Sequence, residues 1–243
     1  SFPAVQTKGG MVTADNALAS EAGAEMLRKG GHAADAAVAT ALVLGVVQPF
    51  ASGIGGGGFA LVHEAGSKTK PIAYDFREIA PAKASKDMYL DAKGNVVPKA
   101  STRGPRAAAV PGELKGLEAL HKARGRLPWA TVVQPALELA RDGFPVGALL
   151  HKRIKRKEAD FQKRPAFAKR FLTKDGKALP VGFKLVQPKL AATLELVAKH
   201  GADAFYTGKV AQRIAQGMSQ AGGLVTAQDL ANYRIKKRPV VHL

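Results

Sequence analysis

Two stretches hold groups suited to chemistry. The first is Ala73–Ala84, AYDFREIAPAKA, in which Asp75, Arg77 and Glu78 lie almost side by side. Read as a strand, its alternation puts Asp75 and Arg77 on one face and Tyr74 and Phe76 on the other. An arginine at a strand end can grip a carboxylate with two parallel hydrogen bonds, which lysine does poorly. Asp75 or Glu78 could hold its guanidinium in place. On residue chemistry alone an internal ion pair is the preferred reading. The second stretch is Ser52–Glu64, SGIGGGGFALVHE, in which Gly53, Gly55 and Gly58 fit the spacing G-x-G-x-x-G. A dinucleotide loop with that spacing must follow a strand and open a helix, so that the helix N-terminus meets a pyrophosphate. Here the order is reversed: a helical run precedes the glycines and FALVHE alternates like a strand after them. No Lys-Ser or Lys-Thr follows, so a Walker loop is excluded as well. The glycines are read instead as backbone that must turn sharply, or approach another segment closely, where a Cβ would clash.

Other chemistries find little support. There is no cysteine, which removes disulfides, cysteine-ligated metals and a cysteine nucleophile. The histidines are His32, His63, His121, His151, His200 and His242, and none has H-E-x-x-H spacing. Glu64, beside His63, falls on the opposite strand face. A metal site would need long-range assembly, and none is assigned, nor is any cofactor. No G-x-S-x-G elbow is present, and Ser52 reads as a turn residue bonded to local backbone.

These groups must be positioned by a mixture of helices and strands. Asp15 or Asn16 can cap a helix running to about Lys29, ended by Gly30-Gly31. Ala33–Val47 is apolar nearly all round and reads as a buried helix stopped by Gln48-Pro49. FALVHE alternates like a strand, and PIAYDFRE reads as its hairpin partner. Further helices are expected in PGELKGLEALHKARG, around Gln134 to Arg141 with Gly143 closing it, in VQPKLAATLELVAKHG and in TGKVAQRIAQGMSQAGG. Thr226 and Asp229 offer a capping box in which Asp replaces the usual Glu or Gln. The final KKRPVVHL reads as the start of a strand with no visible partner, which suggests part of a larger polypeptide.

The 243 residues, 46% hydrophobic and 23% charged, are globular in composition and long enough to bury a core. The apolar run Ala33–Val47 is too short to span a bilayer, and SFPAVQTKGG lacks the apolar core of a signal peptide, as a mature secreted protein also would. The net charge is +18, from 37 Lys and Arg against 19 Asp and Glu. Such a balance attracts polyanions, and much of it sits in His151–Arg170, HKRIKRKEADFQKRPAFAKR. No nucleic-acid module accompanies it, so this segment reads as a solvated basic face, with Phe161, Phe167 and Phe171 turned toward a core.

Taken together, GMVTADNALASEAGAEMLRKGGHAADAAVATALVLGVVQPFASGIGGGGFALV, DFREIAPAKASKDMYLD, AVPGELKGLEAL, VVQPALELARDGF and GADAFYTGKVAQRIAQGMSQAGGLVTAQDLANY resemble the large subunit of the γ-glutamyltransferase family, over essentially the whole chain. A departure is His32, where the family usually has asparagine. The segment His151–Arg170 is the least family-like.

The resemblance implies an α+β fold, the αββα four-layer sandwich of N-terminal-nucleophile hydrolases. Residues 1–243 would form a single domain, the N-terminal portion of the large subunit, incomplete without a small subunit cut from the same precursor. It implies a periplasmic or secreted bacterial enzyme, its signal peptide removed, acting on glutathione, glutamine or another γ-glutamyl amide with water or an amino acid as acceptor. The threonine nucleophile would lie outside this chain, so no catalytic residue is expected within it. The arginine of the D-x-R-E motif, Arg77 here, would grip the α-carboxylate of the γ-glutamyl group, with Asp75 and Glu78 behind it. That turns the preferred role of Arg77 from internal ion pair to ligand contact. A cephalosporin or glutaryl acylase and a poly-γ-glutamate depolymerase share these segments, and the basic charge suits the latter's substrate. From another class, a non-catalytic polyanion-binding protein would explain the charge. Nucleic acid is not expected as a partner, nor is a membrane span.

Overall fold

The computed structural model describes residue 7, residues 9–66 and residues 71–240. His242 and the last residues of KKRPVVHL lie outside the described residues.

The chain opens with two packed helices. In α1, Ala17–Arg28, Asn16 is the cap, its side chain accepting from the Leu18 amide at 2.9 Å. The apolar run forms α2, Ala33–Val47, buried along most of its length. Its first turn is held by Asp35, a wholly buried carboxylate that accepts from the amides of His32 at 2.7 Å and Arg126 at 2.9 Å. At its far end the buried Gln187 donates its side-chain amide to the Val46 carbonyl, one of the oxygens a helix end leaves without a partner.

After the glycine run come β1, Phe59–Val62, and β2, Ile72–Asp75, paired antiparallel with Phe59 opposite Asp75. The expected hairpin is therefore present. The helices that follow are α3, Glu113–Arg124, and α4, Trp129–Asp142. A two-stranded pair, β3 (Phe144–Pro145) and β4 (Lys184–Leu185), brackets α5, Ala148–Gln162, and α6, Pro165–Phe171. Then come α7, Pro188–His200, α8, Asp203–Tyr206, α9, Gly208–Gln220, and α10, Ala227–Asn232. The Thr226–Asp229 capping box forms as its sequence suggests, with Asp229 replacing the longer acid.

Two features differ from the sequence reading. The fourth helix starts at Trp129, a turn before Gln134, and runs through Pro135. Proline inside a helix forfeits one hydrogen bond and costs about 3 kcal/mol, but the extra turn carries Val132 and Val133, both fully buried, each stabilising by roughly 1.5–3 kcal/mol. Trp129 also donates its indole N–H to the Val197 carbonyl of α7 at 2.8 Å. Secondly, the terminal strand has a partner. Lys236–Arg238 forms β5 and pairs antiparallel with β2, completing a sheet of order β1-β2-β5.

The core is continuous, with α2 packed between α1, α3 and α4, and the inward residues Tyr74 and Phe76 of the sheet joining it. On the other face of the sheet, Phe59 and Leu61 are two-thirds exposed.

His32 has a local role: its Nδ1 accepts from the Ala34 amide at 3.1 Å, so the ring caps α2. Removing such a cap costs about 1 kcal/mol. His32→Ala should lower the unfolding midpoint of the complete protein accordingly, whereas His32→Asn, a strong capping residue, should match or raise it. Asp35→Ala, which removes the shared acceptor of the His32 and Arg126 amides, should cost more than His32→Ala, about 2 kcal/mol or above. Thermal or denaturant unfolding of the three variants checks the order.

Candidate active site

The glycine run, the end of β2 and the start of α3 meet around one cleft of about 620 Å³, lined by Ser52, Gly53, Gly55–Gly58, Phe76, Arg77, Glu78 and Glu113. They are held by backbone contact. The Gly56 carbonyl accepts from the amides of Gly112 at 2.8 Å and Glu113 at 3.0 Å, two of the donors a helix start leaves open. Gly58 and Phe76 exchange hydrogen bonds in both directions, extending the hairpin past its last ladder residue. A Cβ on Gly57 would collide with the Phe76 carbonyl, and one on Gly112 with that same oxygen and the Tyr233 hydroxyl. Gly57 and Gly112 thus serve close approach of backbone to backbone. Ser52, as expected of a turn residue, donates its amide locally, to the Gln48 carbonyl.

Alternation along β2 falls as the sequence suggests: Tyr74 and Phe76 are buried, Asp75 is partly exposed and Arg77 exposed. The partners within the triplet differ from the simplest expectation. Asp75 does not hold the Arg77 guanidinium. One of its oxygens takes Nε of Arg238 at 2.6 Å and the other accepts from the Arg77 backbone amide at 3.1 Å. Strand β5 makes this possible, because Ala73 faces Arg238 and Asp75 faces Lys236, which leaves Arg238 and Asp75 diagonal neighbours. The Arg238 guanidinium, then the Arg77 amide, hold the Asp75 carboxyl below its ordinary range.

Glu78 is the carboxylate beside Arg77, with Oε2 3.5 Å from Nε. That oxygen is buried and makes no hydrogen bond among the described residues. The Arg77 backbone, by contrast, is firmly held: buried Tyr233 donates its hydroxyl to the Arg77 carbonyl at 2.8 Å. Burial, followed by the nearby Asp75, Glu78 and Glu113, pushes Tyr233 up to about 12, so it keeps its proton and remains a donor. Tyr206, stacked on Tyr233 with centroids 5.9 Å apart, donates to the Pro111 carbonyl at 3.0 Å and anchors the approach to α3. A rigid backbone therefore carries a loosely paired guanidinium on the rim of a cleft, an arrangement suited to receiving a carboxylate.

Sequence reasoning did not single out Tyr233 or Glu113. Tyr233 is 156 residues away along the chain, and nothing local marks it. Glu113 looks like an ordinary first-turn acid, favourable at a helix start. In the folded chain its carboxyl lines the cleft, and burial, then the charge of Glu78, raise it to about 7. Among the described residues no three His, Asp or Glu side chains gather as a metal site.

A sequence model of the gamma-glutamyltranspeptidase family matches residues 19–243. The chain belongs to that family. It is 43% identical over 232 residues to glutathione hydrolase 3 of Arabidopsis thaliana, covering 96% of this chain and 35% of that protein. It is 42% identical over 237 residues to the glutathione hydrolase proenzyme of Escherichia coli K12, covering 98% of this chain and 40% of that one. Among solved structures it superposes on the gamma-glutamyltranspeptidase of Helicobacter pylori with a TM-score of 0.93 at 42% identity, covering 98% of this chain and 68% of that one. This family chain has the α+β fold of the N-terminal-nucleophile hydrolases, as its sequence implies. It spans about 35–40% of the length of those two curated relatives.

Two expectations follow. Gly57→Ala should push Phe76–Glu78 away from the glycine run and cost about 1–3 kcal/mol of stability, the scale of an overpacked contact. Thermal or denaturant unfolding of the complete protein measures it. For Glu113, the folded pKa near 7 lies above the unfolded value near 4.5. The folded state then binds the extra proton between those limits, so this group's contribution to stability is full below about pH 4.5 and is lost as pH rises to 7. Glu113→Gln should match the parent at pH 4.5 and exceed it above pH 7, by about 1–3 kcal/mol for a half-buried carboxyl. Unfolding midpoints across that pH range check the sign.

Proposed function

We propose that this chain is the N-terminal portion of the large subunit of a γ-glutamyltransferase, a self-cleaving N-terminal-nucleophile hydrolase completed by a small subunit from the same precursor. Its substrates are glutathione or other γ-glutamyl amides, with water or an amino acid as acceptor, and its setting is periplasmic or secreted. Among the described residues no helix is long and apolar enough to cross a membrane.

In this reading the nucleophile is a threonine at the new N-terminus of the small subunit. Its hydroxyl oxygen attacks the γ-carbonyl carbon, and its own α-amine takes the hydroxyl proton and returns it to the leaving amine as the amide C–N bond breaks. The γ-glutamyl ester that remains is opened by water or by an amino-acid amine, restoring the hydroxyl. Residues of the present chain do none of this proton transfer. Their task is to fix the γ-glutamyl group so that its γ-carbonyl meets the nucleophile, which lowers the barrier through orientation.

The observation that carries the proposal is the state of Arg77. Its backbone is fixed by Tyr233, its side chain is mostly exposed, and its one carboxylate neighbour among the described residues sits at ion-pair distance without a hydrogen bond. An α-carboxylate arriving from the cleft can take the planar guanidinium with two hydrogen bonds. Asp75, tied to Arg238, keeps the strand end and the Arg77 amide in place.

Arg77→Lys retains the charge but not the paired donors. We expect it to raise KM for a γ-glutamyl anilide roughly tenfold or more, as loss of a charge-assisted bidentate contact implies, with fold and self-cleavage intact. Release of p-nitroaniline by the processed protein, beside gel analysis of the two subunits, tests it. An unchanged KM would remove Arg77 from the substrate site.

A further inference from the structure

The charge excess concentrates on α5 and α6, where residues 148–171 hold nine Lys and Arg against Glu158 and Asp160 alone. Both acids are already engaged. Glu158 accepts from the Ala178 amide at 2.7 Å and lies 3.2 Å from Lys155, while Asp160 lies 3.6 Å from Arg103 and 3.7 Å from Arg164. Arg153 and Lys157, one turn apart on α5, have no carboxylate within ion-pair distance among the described residues. They stand on the lip of a second groove, about 270 Å³, whose apolar walls include Phe50, Phe161 and Phe167.

This groove is not the purely solvated face that the sequence suggests, nor do its aromatic rings all turn inward. Phe171 is buried and Phe161 partly so, but Phe167 is 43% exposed and Phe50 37%. Phe161 and Phe167 stack with centroids 5.1 Å apart, and the Arg153 guanidinium lies over the Phe50 ring at 5.3 Å. Phe50 also lines the cleft that holds Arg77, so the two depressions share a wall. Pro49 and Phe50 are common to both linings, so a ligand reaching from Arg77 to Arg153 and Lys157 would pass Phe50.

We propose that the groove bounded by Phe50, Phe167, Arg153 and Lys157 is a subsite for the leaving-group side of the substrate, selecting γ-glutamyl amides whose amine portion joins an apolar or aromatic body to a carboxylate. The proposal rests on the γ-glutamyl reading of the Arg77 cleft. Aromatic walls take up the flat apolar body, and two cations without carboxylate partners complement a negative charge at its edge. The cations serve preference among substrates and take no part in bond breaking. This accounts for a basic groove next to a small-molecule cleft without calling on a nucleic acid.

The test uses the complete, processed protein and two chromogenic substrates that differ by one carboxylate, γ-glutamyl-p-nitroanilide and γ-glutamyl-3-carboxy-4-nitroanilide. The quantity read is the ratio of kcat/KM for the carboxylated over the neutral anilide. It should fall roughly fivefold or more in Arg153→Glu/Lys157→Glu, since two attractions become repulsions. Lys152→Glu/Arg156→Glu changes the net charge of the same helix equally but lies outside the groove, and should leave the ratio near the parent value. An unchanged ratio in the groove variant, or an equal fall in both variants, overturns the subsite in favour of general electrostatic attraction or none. If the parent protein hydrolyses neither anilide, the γ-glutamyl reading itself fails and takes the subsite with it.

Discussion

Phe76 is the residue on which the site depends, because backbone without side chains closes around it from several directions. Its carbonyl would be struck by a Cβ on Gly57 or Gly112, and its ring by one on Gly116. Three separate segments, the glycine run, the approach to α3 and the first turn of α3, must therefore stay bare for this one residue to be 4% exposed at the end of β2. In return they are locked to one another, with the Gly56 carbonyl serving two amides at the helix start. The next two residues along the chain, Arg77 and Glu78, take their positions from this packing. Preorganisation of the site is thus a matter of backbone contact first and of side-chain pairing second.

The same contact takes up groups that a phosphate cradle would use. The amides that a helix start leaves open are the usual anion-binding groups. Here two of those at the start of α3 are already satisfied by the Gly56 carbonyl. Further down the run, a Cβ on Gly45 of α2 would come within 3.1 Å of the Gly53 Cα, so the buried helix and the loop also lie close. Without side chains between them, helix, loop and sheet can surround a cleft wide enough for a small amino-acid derivative.

Much of this was legible in the sequence because local rules decide it. The unbroken apolar run Ala33–Val47, the caps Asn16 and Thr226 and the alternation through Tyr74, Asp75, Phe76 and Arg77 depend on neighbours a few residues away, and each forms as read. Whatever needed a distant partner was not legible. The pairing of β5 with β2, the capture of Asp75 by Arg238 and the bond from Tyr233 to the Arg77 carbonyl join residues more than 150 positions apart. Glu113 belongs to the same class: a helix-start acid becomes a half-buried cleft carboxyl only through its surroundings. The first turn of α4 belongs to the same class, since the burial of Val132 and Val133 that outweighs Pro135 is tertiary packing.

Those distant partners matter to the chemistry because they determine which carboxylate Arg77 is left with. Asp75 shares a strand face with Arg77, and a bidentate pair between them would occupy two of the five guanidinium N–H donors. Arg238 prevents it by taking one Asp75 oxygen at 2.6 Å, and the Arg77 amide occupies the other. Glu78 stays close enough to stabilise the cation but at 3.5 Å without a hydrogen bond. Glu113, raised to about 7 by burial and by Glu78, carries less than a full negative charge near neutral pH, so it adds little competition for the guanidinium. Of the three acids at the strand end and in the cleft, one is diverted, one is misaligned and one is held partly protonated. A guanidinium in that state is stable without a ligand and still has its paired donors to give to one.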